Sequence, residues 1–310
     1  MSQWRPGASA TNLRIRADLL ARCRAFFAAR NVLEVETPLL GHAAVSDVNI
    51  QSFSLGEQFL QTSPEYAMKR LLAAGSGPIY QICKAFRQEE SGRLHNPEFT
   101  LLEWYRPGFD WRQLMDEVAE LMAELLGVGK IARLSYRDVL QQQLAVDPHT
   151  LHGAPLQDLT RSKIDLGDAE LDDTDCLQLL MHHCIEPQLP DFCFVYDYPV
   201  AQAALAKVEQ DEQACAVARR FELYGKGMEL ANAYEELTDV DEQRRRFDAD
   251  IARRQQQKMP VNPLDEKLLA ALAEGLPACA GVALGFDRLL MLATASKHID
   301  QVISFAGDRA

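Results

Sequence analysis

Residues 79–105, IYQICKAFRQEESGRLHNPEFTLLEWY, decide the fold of this chain. Apolar and polar side chains alternate over 79–90 and again over 98–105, which is the period of a β-strand. The seven residues between them, 91–97, contain glycine, asparagine and proline and are typical of a connecting loop. The stretch therefore predicts an antiparallel hairpin whose loop is long enough to close over a ligand.

Other periodic segments place helices beside this hairpin. Helices are predicted over 12–30, with Asn12 as the cap, over 63–74 and over 111–126. Strands are predicted over 32–38 and 192–198, whereas 209–220 is predicted to be helix or loop. Because hairpins as well as helices join the strands, without a repeating βαβ rhythm, the pattern indicates an α+β fold: a mainly antiparallel sheet flanked by helices.

The domain organisation is predicted to be simple. No internal repeat, low-complexity tract or long linker interrupts the sequence, so we expect a single domain spanning residues 1–310. Residues 145–175 are polar and carry Pro148, Gly153, Pro155 and Gly167. This composition predicts an irregular, peripheral insertion.

Composition excludes several classes of protein. A hydrophobic content of 47% and a charged content of 25% are ordinary for a globular protein, and no apolar run is long enough to cross a bilayer. Without an apolar leader, we expect a cytoplasmic location and no membrane partner. The net charge of −13 disfavours non-specific binding to nucleic acid. Seven cysteines without a Cys-x-x-Cys pair indicate reduced thiols rather than zinc ligands.

The first candidate for chemistry is the motif around Arg87, which alternates onto one face of its strand with Glu89. An arginine fork can hold phosphate oxygens, and Glu89 could accept an amino proton of adenine while Phe99 stacks on the base. A structural cross-strand Arg–Glu pair beside a core phenylalanine explains the same residues equally well.

A second arginine motif, GVALGFDR over 281–288, leads into the apolar run Leu289–Leu292 and predicts a buried helix with Arg288 in its first turn. Helix N-termini favour anions, and Arg288 adds a full positive charge. A glycine-bearing turn before a helix is common, so this motif is weak by itself. Neither arginine motif is a Walker loop.

The segment 221–232, FELYGKGMELAN, indicates a cation site. A two-residue turn at Gly225-Lys226 sets Glu222 directly opposite Glu229. Like charges facing each other destabilise a strand pair, and a Mg²⁺ ion between them would reverse the sign. Two solvated glutamates on a sheet edge are the alternative.

Three polar side chains follow this hairpin at period two: Asn232, Tyr234 and Glu236. They share one face if the strand continues, and Glu229 joins them only if a bulge or bend occurs near Ala231. A carboxylate, an amide and an aromatic ring together suit an amino acid with a cationic side chain. A half-exposed strand before a helix capped by Asp239 is the alternative.

Together these motifs resemble the class II aminoacyl-tRNA synthetases, and most closely the catalytic core of lysyl-tRNA synthetases. The resemblance runs from about residue 12 to the end. The first motif of the family resembles 27–38, its second 86–103 and its third 281–288. Ser63-Pro64-Glu65 and the stretch 229–239 are similar to lysine-specific segments. The resemblance implies the class II antiparallel sheet flanked by helices, and dimerisation through the first motif.

The resemblance also implies roles for individual residues, with ATP and Mg²⁺ as the cofactors. Arg87 and Arg288 would be catalytic, and Glu222 and Glu229 would bind the metal. The implied ATP-binding residues are Arg87, Gln88, Glu89, His95, Asn96, Phe99, Glu229, Leu230, Gly285 and Arg288. The implied residues for the amino-acid substrate are Ser63, Pro64, Glu65, Tyr105, Asn232, Tyr234, Glu236 and Ala283.

Lysyl-tRNA synthetases carry an N-terminal OB domain that reads the anticodon, and the motifs here leave no room for it. The chain is therefore similar to the stand-alone paralogues that attach (R)-β-lysine to a lysine of elongation factor P, so we expect elongation factor P as the acceptor, lysine or (R)-β-lysine as the substrate, and no binding of tRNA. Ala283 stands where lysyl-tRNA synthetases have glycine, as it does in these paralogues. Ala233 replaces a glycine usual in both groups.

The expected chemistry is activation of a carboxylate as an adenylate followed by transfer to a protein lysine. Two other readings remain open. The first is a free-standing ligase that charges tRNA or a small amine. The second is an amino-acid sensor without catalytic activity, although a sensor has no need to keep both arginines and both carboxylates.

Overall fold

The computed structural model describes residues 4–88, 90–167, 169, 171–307 and 309–310. Its strands are β1 Leu33–Glu34, β2 Leu40–Gly41, β3 Ser54–Leu55, β4 Gln58–Leu60, β5 Ile79–Phe86, β6 Glu98–Pro107, β7 Ala132–Ser135, β8 Phe192–Pro199, β9 Val208–Gln210, β10 Ala216–Gly225, β11 Met228–Glu235 and β12 Cys279–Gly285. Its α-helices are α1 Ala10–Ala28, α2 Glu65–Ala73, α3 Trp111–Leu126, α4 Tyr136–Leu144, α5 Ala154–Lys163, α6 Asp173–Leu180, α7 Val240–Gln256, α8 Glu266–Gly275 and α9 Phe286–Thr294.

These elements form two compact units, one comprising residues 1–128 and 238–310 and the other residues 129–237. In the first unit β1, β5, β6 and β12 are neighbours in that order, and β2, β4 and β3 form a small separate sheet. In the second unit β7, β8, β10 and β11 are neighbours, and β9 pairs with β10. Only the β1–β5 and β7–β8 pairs of the described strands are parallel, which confirms the prediction of a mainly antiparallel sheet with helices.

The predicted hairpin in the first unit is confirmed. β5 and β6 pair antiparallel from Ile79 opposite Tyr105 to Phe86 opposite Glu98. β12 then pairs antiparallel with the other edge of β6. This register fixes which side chains of three strands share a face, and it therefore positions the candidate site in this unit.

Local capping explains where the helices begin. α3 begins after Asp110, which forms a capping box with Gln113, and ends before Gly127, whose φ of 68° stops the helix where the sequence predicted. Asn12 is not the cap of α1, contrary to the prediction. Ser9 is the cap, and its hydroxyl accepts a hydrogen bond from the Asn12 backbone amide, while the Asn12 side chain donates to the Gln301 carbonyl.

Two other sequence predictions were wrong. The strand expected over 32–38 is reduced to the two residues of β1. The segment 209–220, expected to be helix or loop, contributes to β9 and β10 instead. β10 is central in its unit, and the buried charges of Arg219 and Arg220, each held by an acidic partner, obscured the strand pattern.

Residues 145–175 are not irregular throughout, because α5 lies within them and α6 begins there. Leu156 of α5 is fully buried in the core of the second unit, together with Tyr136, Leu180 and Tyr198. Two of the glycine and proline residues of this stretch lie at a helix start: Gly153 precedes α5 and Pro155 occupies its first turn, where a missing amide proton is harmless.

Among the described residues, none of the helices is both long and apolar enough to cross a membrane.

Truncation of Leu156 tests whether α5 belongs to the core. We expect Leu156→Ala to lower the free energy of unfolding by about 2–5 kcal/mol, because it removes a buried side chain and leaves a cavity. Asp158→Ala, on the exposed side of the same helix, should change it by less than about 0.5 kcal/mol. Urea unfolding measures both. Equal small effects would mean that residues 145–175 are peripheral.

Candidate active site

Several predicted residues of the first unit share one face of its sheet. Ala283 lies opposite Glu103 and Gly285 lies opposite Leu101 across the β6–β12 pair. Because side chains alternate along a strand, Phe99 and Tyr105 point to the same side as these residues. Phe99, Leu101, Glu103 and Tyr105 of β6 therefore share one face, and β12 extends it with Ala283 and Gly285.

Arg87 directly follows β5 and lies over this face. Its guanidinium carbon is 5.0 Å from the centre of the Phe99 ring, a cation–π distance. Its Nη1 donates to Glu90 at 3.3 Å, and its Nε donates to the Thr62 carbonyl at 3.4 Å. Both hydrogen bonds are long, so the guanidinium can exchange them for phosphate oxygens at modest cost. Arg87 and Phe99 therefore lie together, as a nucleotide site requires.

The loop after Arg87 contains further predicted residues. The Gln88 backbone amide donates to the Gln51 carbonyl at 2.9 Å, which ties the start of the loop to another segment of the unit. Glu89, predicted to accept from adenine, lies outside the described residues. His95 meets Arg288, whose Nη2 is 2.6 Å from the ring nitrogen Nε2 of His95. Two predicted ATP-binding residues from distant motifs are thus in direct contact.

Asn96 is buried, and its amide is engaged by the main chain. Its Nδ2 donates to the Glu98 carbonyl at 2.6 Å, and its Oδ1 accepts from the Gly307 amide at 3.0 Å. Asn96 therefore shapes the loop and holds the C-terminal segment.

Glu65, predicted to meet the amine of the substrate, forms an ion pair within α2. Its carboxylate is 2.7 Å from the ammonium of Lys69, which is 2% exposed. The Ser63 hydroxyl accepts from the Glu65 backbone amide at 3.2 Å, and Pro64 precedes the first helical residue. This short cap fixes the orientation of the first turn and hence of Glu65.

Asp287 links three segments of the first unit. Its two carboxylate oxygens accept from the Arg16 guanidinium and from the Thr100 backbone amide, both at 2.6 Å. Arg16 also donates to the Thr100 hydroxyl at 2.6 Å. Asp287 is 2% exposed and precedes Arg288 in the first turn of α9. The network therefore fixes the helix turn that carries Arg288.

The predicted register of the second unit's hairpin was wrong. The turn residues are Lys226 and Gly227, with φ of 48° and 74°, and Gly225 pairs with Met228. Positive φ at both central positions is typical of a type I′ turn, whose backbone twist matches that of the flanking strands. The Lys226 amide donates to the Asp191 carbonyl at 2.6 Å, and this long-range bond stabilises the left-handed conformation.

A β-bulge in β11 places the predicted polar residues on one face of the hairpin. Tyr224 lies opposite Glu229 and Leu223 lies opposite Ala231, so Leu230 is the extra residue. Past the bulge, Glu222 faces Asn232 rather than Glu229, which corrects the predicted pairing. The expected bulge near Ala231 is confirmed, and it brings Asn232 and Tyr234 onto the face that Glu222 and Glu229 share.

A buried arginine that the prediction missed lies at the centre of this face. Arg220 lies opposite Tyr234 and donates from Nη2 to Glu222 at 2.5 Å and to the Asn232 side-chain oxygen at 3.0 Å. Its guanidinium carbon is 4.4 Å from the Tyr198 ring centre and 5.3 Å from that of Tyr234. Burial is the largest single influence and lowers the pKa of Arg220, but the neighbouring groups together, Tyr234 and Glu222 foremost, outweigh it, so the pKa of Arg220 is raised.

The second oxygen of Glu222 accepts from the Tyr224 hydroxyl at 2.6 Å. Burial, followed by the charge of Glu222, raises the pKa of Tyr224 well above its ordinary value, so this hydroxyl remains a donor. The Asn232 amide donates to the Tyr234 hydroxyl at 3.0 Å. These hydrogen bonds join Arg220, Glu222, Tyr224, Asn232 and Tyr234 into one network.

Two further residues of the second unit were singled out in the sequence, Glu236 and Ala233. Glu236 is 3% exposed and lies just past the end of β11, where it forms an isolated bridge with Ala206. Ala233 lies within β11 opposite Phe221 and does not adopt positive φ. The position therefore does not demand glycine for conformational reasons.

The face of Glu222 and Glu229 fits a magnesium ion that also binds phosphate. Each Glu222 oxygen accepts one hydrogen bond and retains a lone pair. Proteins usually hold Mg²⁺ with one or two carboxylates, the substrate phosphates completing the shell. No cluster of three or more His, Cys, Asp or Glu side chains suited to a metal occurs in the part of the chain that the structure describes.

The sequence pattern could have revealed one of the residues that the prediction missed. Arg220 stands two positions before Glu222, at the period that places it on the same strand face. Arg16 and Lys69 gave no such signal. Arg16 is 271 positions from Asp287 in sequence, and Lys69 reads as an ordinary helical surface residue.

Comparison with known proteins defines the class. The chain matches the family model of class II tRNA synthetases (D, K and N) over residues 2–309. It therefore belongs to the class II tRNA synthetase family.

Curated relatives match over their whole length. A protein of Pectobacterium carotovorum subsp. carotovorum is 47% identical, covering 100% of this chain and 99% of the relative. One from Pseudoalteromonas translucida is 49% identical, covering 99% and 98%. Both are named elongation factor P–(R)-β-lysine ligase.

Replacing Asp287 tests its role as a link. We expect Asp287→Ala to lower the free energy of unfolding by about 3 kcal/mol, because it leaves a buried backbone amide without its acceptor and a partly buried guanidinium without its carboxylate. Asp241→Ala, in the exposed first turn of α7, should cost less than about 1 kcal/mol. Denaturant unfolding of both variants is the measurement. A loss for Asp287→Ala no greater than the control would mean that the link contributes little.

Proposed function

We propose that this protein is an AMP-forming ligase that activates (R)-β-lysine, or lysine, with ATP and transfers it to the ε-amine of a lysine on elongation factor P. The observation that carries the proposal is the end-to-end similarity, at 47% and 49% identity, to relatives named for this activity. The side-chain sets of both units support it, because each suits one part of the two substrates.

The first unit supplies groups for the nucleotide. Arg87 binds the α-phosphate with its guanidinium fork, and Phe99 stacks on the adenine. Arg288, whose position against His95 is fixed by α9, offsets charge on the phosphates. Glu89, Asn96 and Gly285 complete the adenosine site, Asn96 by shaping the loop.

Candidate groups for the amino acid occur in each unit. Tyr105 and Glu65 belong to the first unit, where Glu65 binds the amine near the carboxylate end. Asn232, Tyr234 and Glu236 belong to the second, where Glu236 binds the side-chain ammonium. Glu222 and Glu229 would hold Mg²⁺, which would neutralise phosphate charge. The methyl group of Ala283 occupies space above the sheet face that a glycine at this position would leave open to the substrate.

The chemistry follows in two steps. The carboxylate of the amino acid attacks the α-phosphorus, the bond to the β,γ-phosphates breaks, and an aminoacyl-adenylate and pyrophosphate result. The neutral ε-amine of the acceptor lysine then attacks the activated carbonyl, AMP leaves, and the amine loses a proton. Positioning and charge stabilisation account for the rate, so no covalent enzyme nucleophile is required.

The location and oligomeric state are proposed with the activity. We place the protein in the cytoplasm, where its acceptor resides, and as a homodimer formed through the first motif. Leu33 and Leu39 of that motif are 56% and 41% exposed, which supports an apolar contact with a second copy.

Exchange of pyrophosphate into ATP tests the first step by itself. We expect Arg87→Ala and Glu229→Ala to reduce exchange by at least about a thousandfold, because each removes a group that stabilises charge on the phosphates. Arg70→Ala, which truncates an exposed arginine of α2, should retain normal exchange. Substantial exchange in either site variant would remove that residue from the mechanism.

Acceptor labelling tests the second step. With ATP and radioactive (R)-β-lysine or lysine, we expect label in purified elongation factor P and none in total tRNA. Replacing the acceptor lysine by arginine should abolish labelling, because arginine provides no neutral amine. Label in tRNA would instead identify a free-standing tRNA ligase. Absence of exchange with any amino acid would identify a non-catalytic sensor.

A further inference from the structure

The second unit contains a charge that the proposed chemistry does not use. Arg220 is 8% exposed, and its guanidinium contacts Glu222, one of the two carboxylates assigned to the metal. A cation bound to Glu222 would lie beside this guanidinium, and like charges at such a distance repel each other strongly in a partly desolvated environment. The arrangement therefore opposes metal binding to the carboxylates alone.

Arg220 cannot readily move away from Glu222. Its Nη1 donates to the Gln202 carbonyl at 2.7 Å, and its Nη2 donates to Asn232 as well as to Glu222. The rings of Tyr198 and Tyr234 flank its plane. Because several elements of the unit hold it, the positive charge is a fixed part of the site.

The net charge of Arg220 and the two glutamates indicates how strongly a divalent ion is attracted. Arg220, Glu222 and Glu229 together carry one net negative charge, compared with two for the glutamates alone. One negative charge is a poor match for a divalent ion, whereas the same face with a nucleoside triphosphate gains several negative charges. Phosphate must therefore accompany the metal.

We propose that Arg220 is a positioning residue that orients Glu222 and suppresses its affinity for divalent cations until the nucleotide arrives, so that metal and ATP enter together. The inference rests on the proposed function, because it takes Glu222 and Glu229 as the metal ligands. It goes beyond that function by assigning a role to a residue outside the ligand set. Ordered entry would keep the carboxylates available when free cation is abundant.

The neighbouring residue Arg219 provides a matched control. It is 7% exposed and pairs with Asp197 at 2.8 Å and with Glu209 at 3.4 Å. Replacing Arg219 by methionine removes a buried guanidinium and its ion pairs from the same strand. It does not remove a contact of Glu222.

The test is to measure Mn²⁺ binding to the nucleotide-free protein by calorimetry or electron paramagnetic resonance. We expect Arg220→Met to bind Mn²⁺ about tenfold or more tightly than the wild type, whereas Arg219→Met matches the wild type. Arg220→Gln keeps a donor for Glu222 and should also bind more tightly. Arg220→Lys keeps the charge and should not. Circular dichroism checks that each variant is folded, and Arg220→Gln serves if the methionine variant is not.

Titration with Mn²⁺ in the presence of a non-hydrolysable ATP analogue distinguishes the possible failures. If the wild type binds Mn²⁺ with the analogue, Glu222→Gln abolishes this, and neither neutral Arg220 variant binds Mn²⁺ more tightly alone, the metal site stands and the role of Arg220 is overturned. If Arg220→Lys and Arg220→Met bind Mn²⁺ more tightly than the wild type by the same factor, the positive charge of Arg220 is not what suppresses metal binding. Failure of every variant to bind Mn²⁺ with the analogue overturns the metal assignment and this inference together.

Discussion

One extra residue in β11 determines what the second unit can do. Side chains alternate along a strand, so without the bulge at Leu230 the carboxylate of Glu229 would point away from Asn232 and Tyr234. With it, Glu222, Glu229 and Arg220 share a face with both of these residues. The bulge costs one backbone pairing, and in return it gathers opposite charges and matched hydrogen-bonding groups into a single polar surface.

In the first unit, contacts between residues distant in sequence bring the candidate site residues together. Its three antiparallel strands fix the order of side chains across the face, but Arg288 comes from a helix and must be aimed separately. Asp287 does so by binding Arg16 and Thr100, so α1, β6 and α9 are fixed to one another through a single carboxylate. The contact between Arg288 and His95 then follows from backbone placement rather than from flexible side-chain reach.

Local chemistry made part of this predictable. α3 was predicted to the residue because Asp110 and Gly127 mark both ends, and the β5–β6 hairpin followed from alternation alone. The turn at Lys226 was missed because its left-handed backbone depends on Asp191, a partner distant in sequence. β10 was missed at its start for a related reason. Its buried arginines read as surface residues until their acidic partners are known: Asp197 and Glu209 on other strands for Arg219, and Glu222 on β10 itself for Arg220.

Stability alone does not account for the buried arginine beside the proposed metal ligands. A buried ion pair gains little over well-packed apolar residues of similar volume, because desolvation cancels most of the attraction. Arg220 nevertheless lies against two tyrosine rings, those of Tyr198 and Tyr234, that could have packed against an apolar side chain. Glu222 cannot be exchanged so freely if it binds a cation, and a lone buried carboxylate would be costly and poorly oriented. The arginine offsets that cost in the absence of ligand and holds the carboxylate in one conformation. The site is therefore organised before any substrate binds, which reduces the reorganisation required in the transition state.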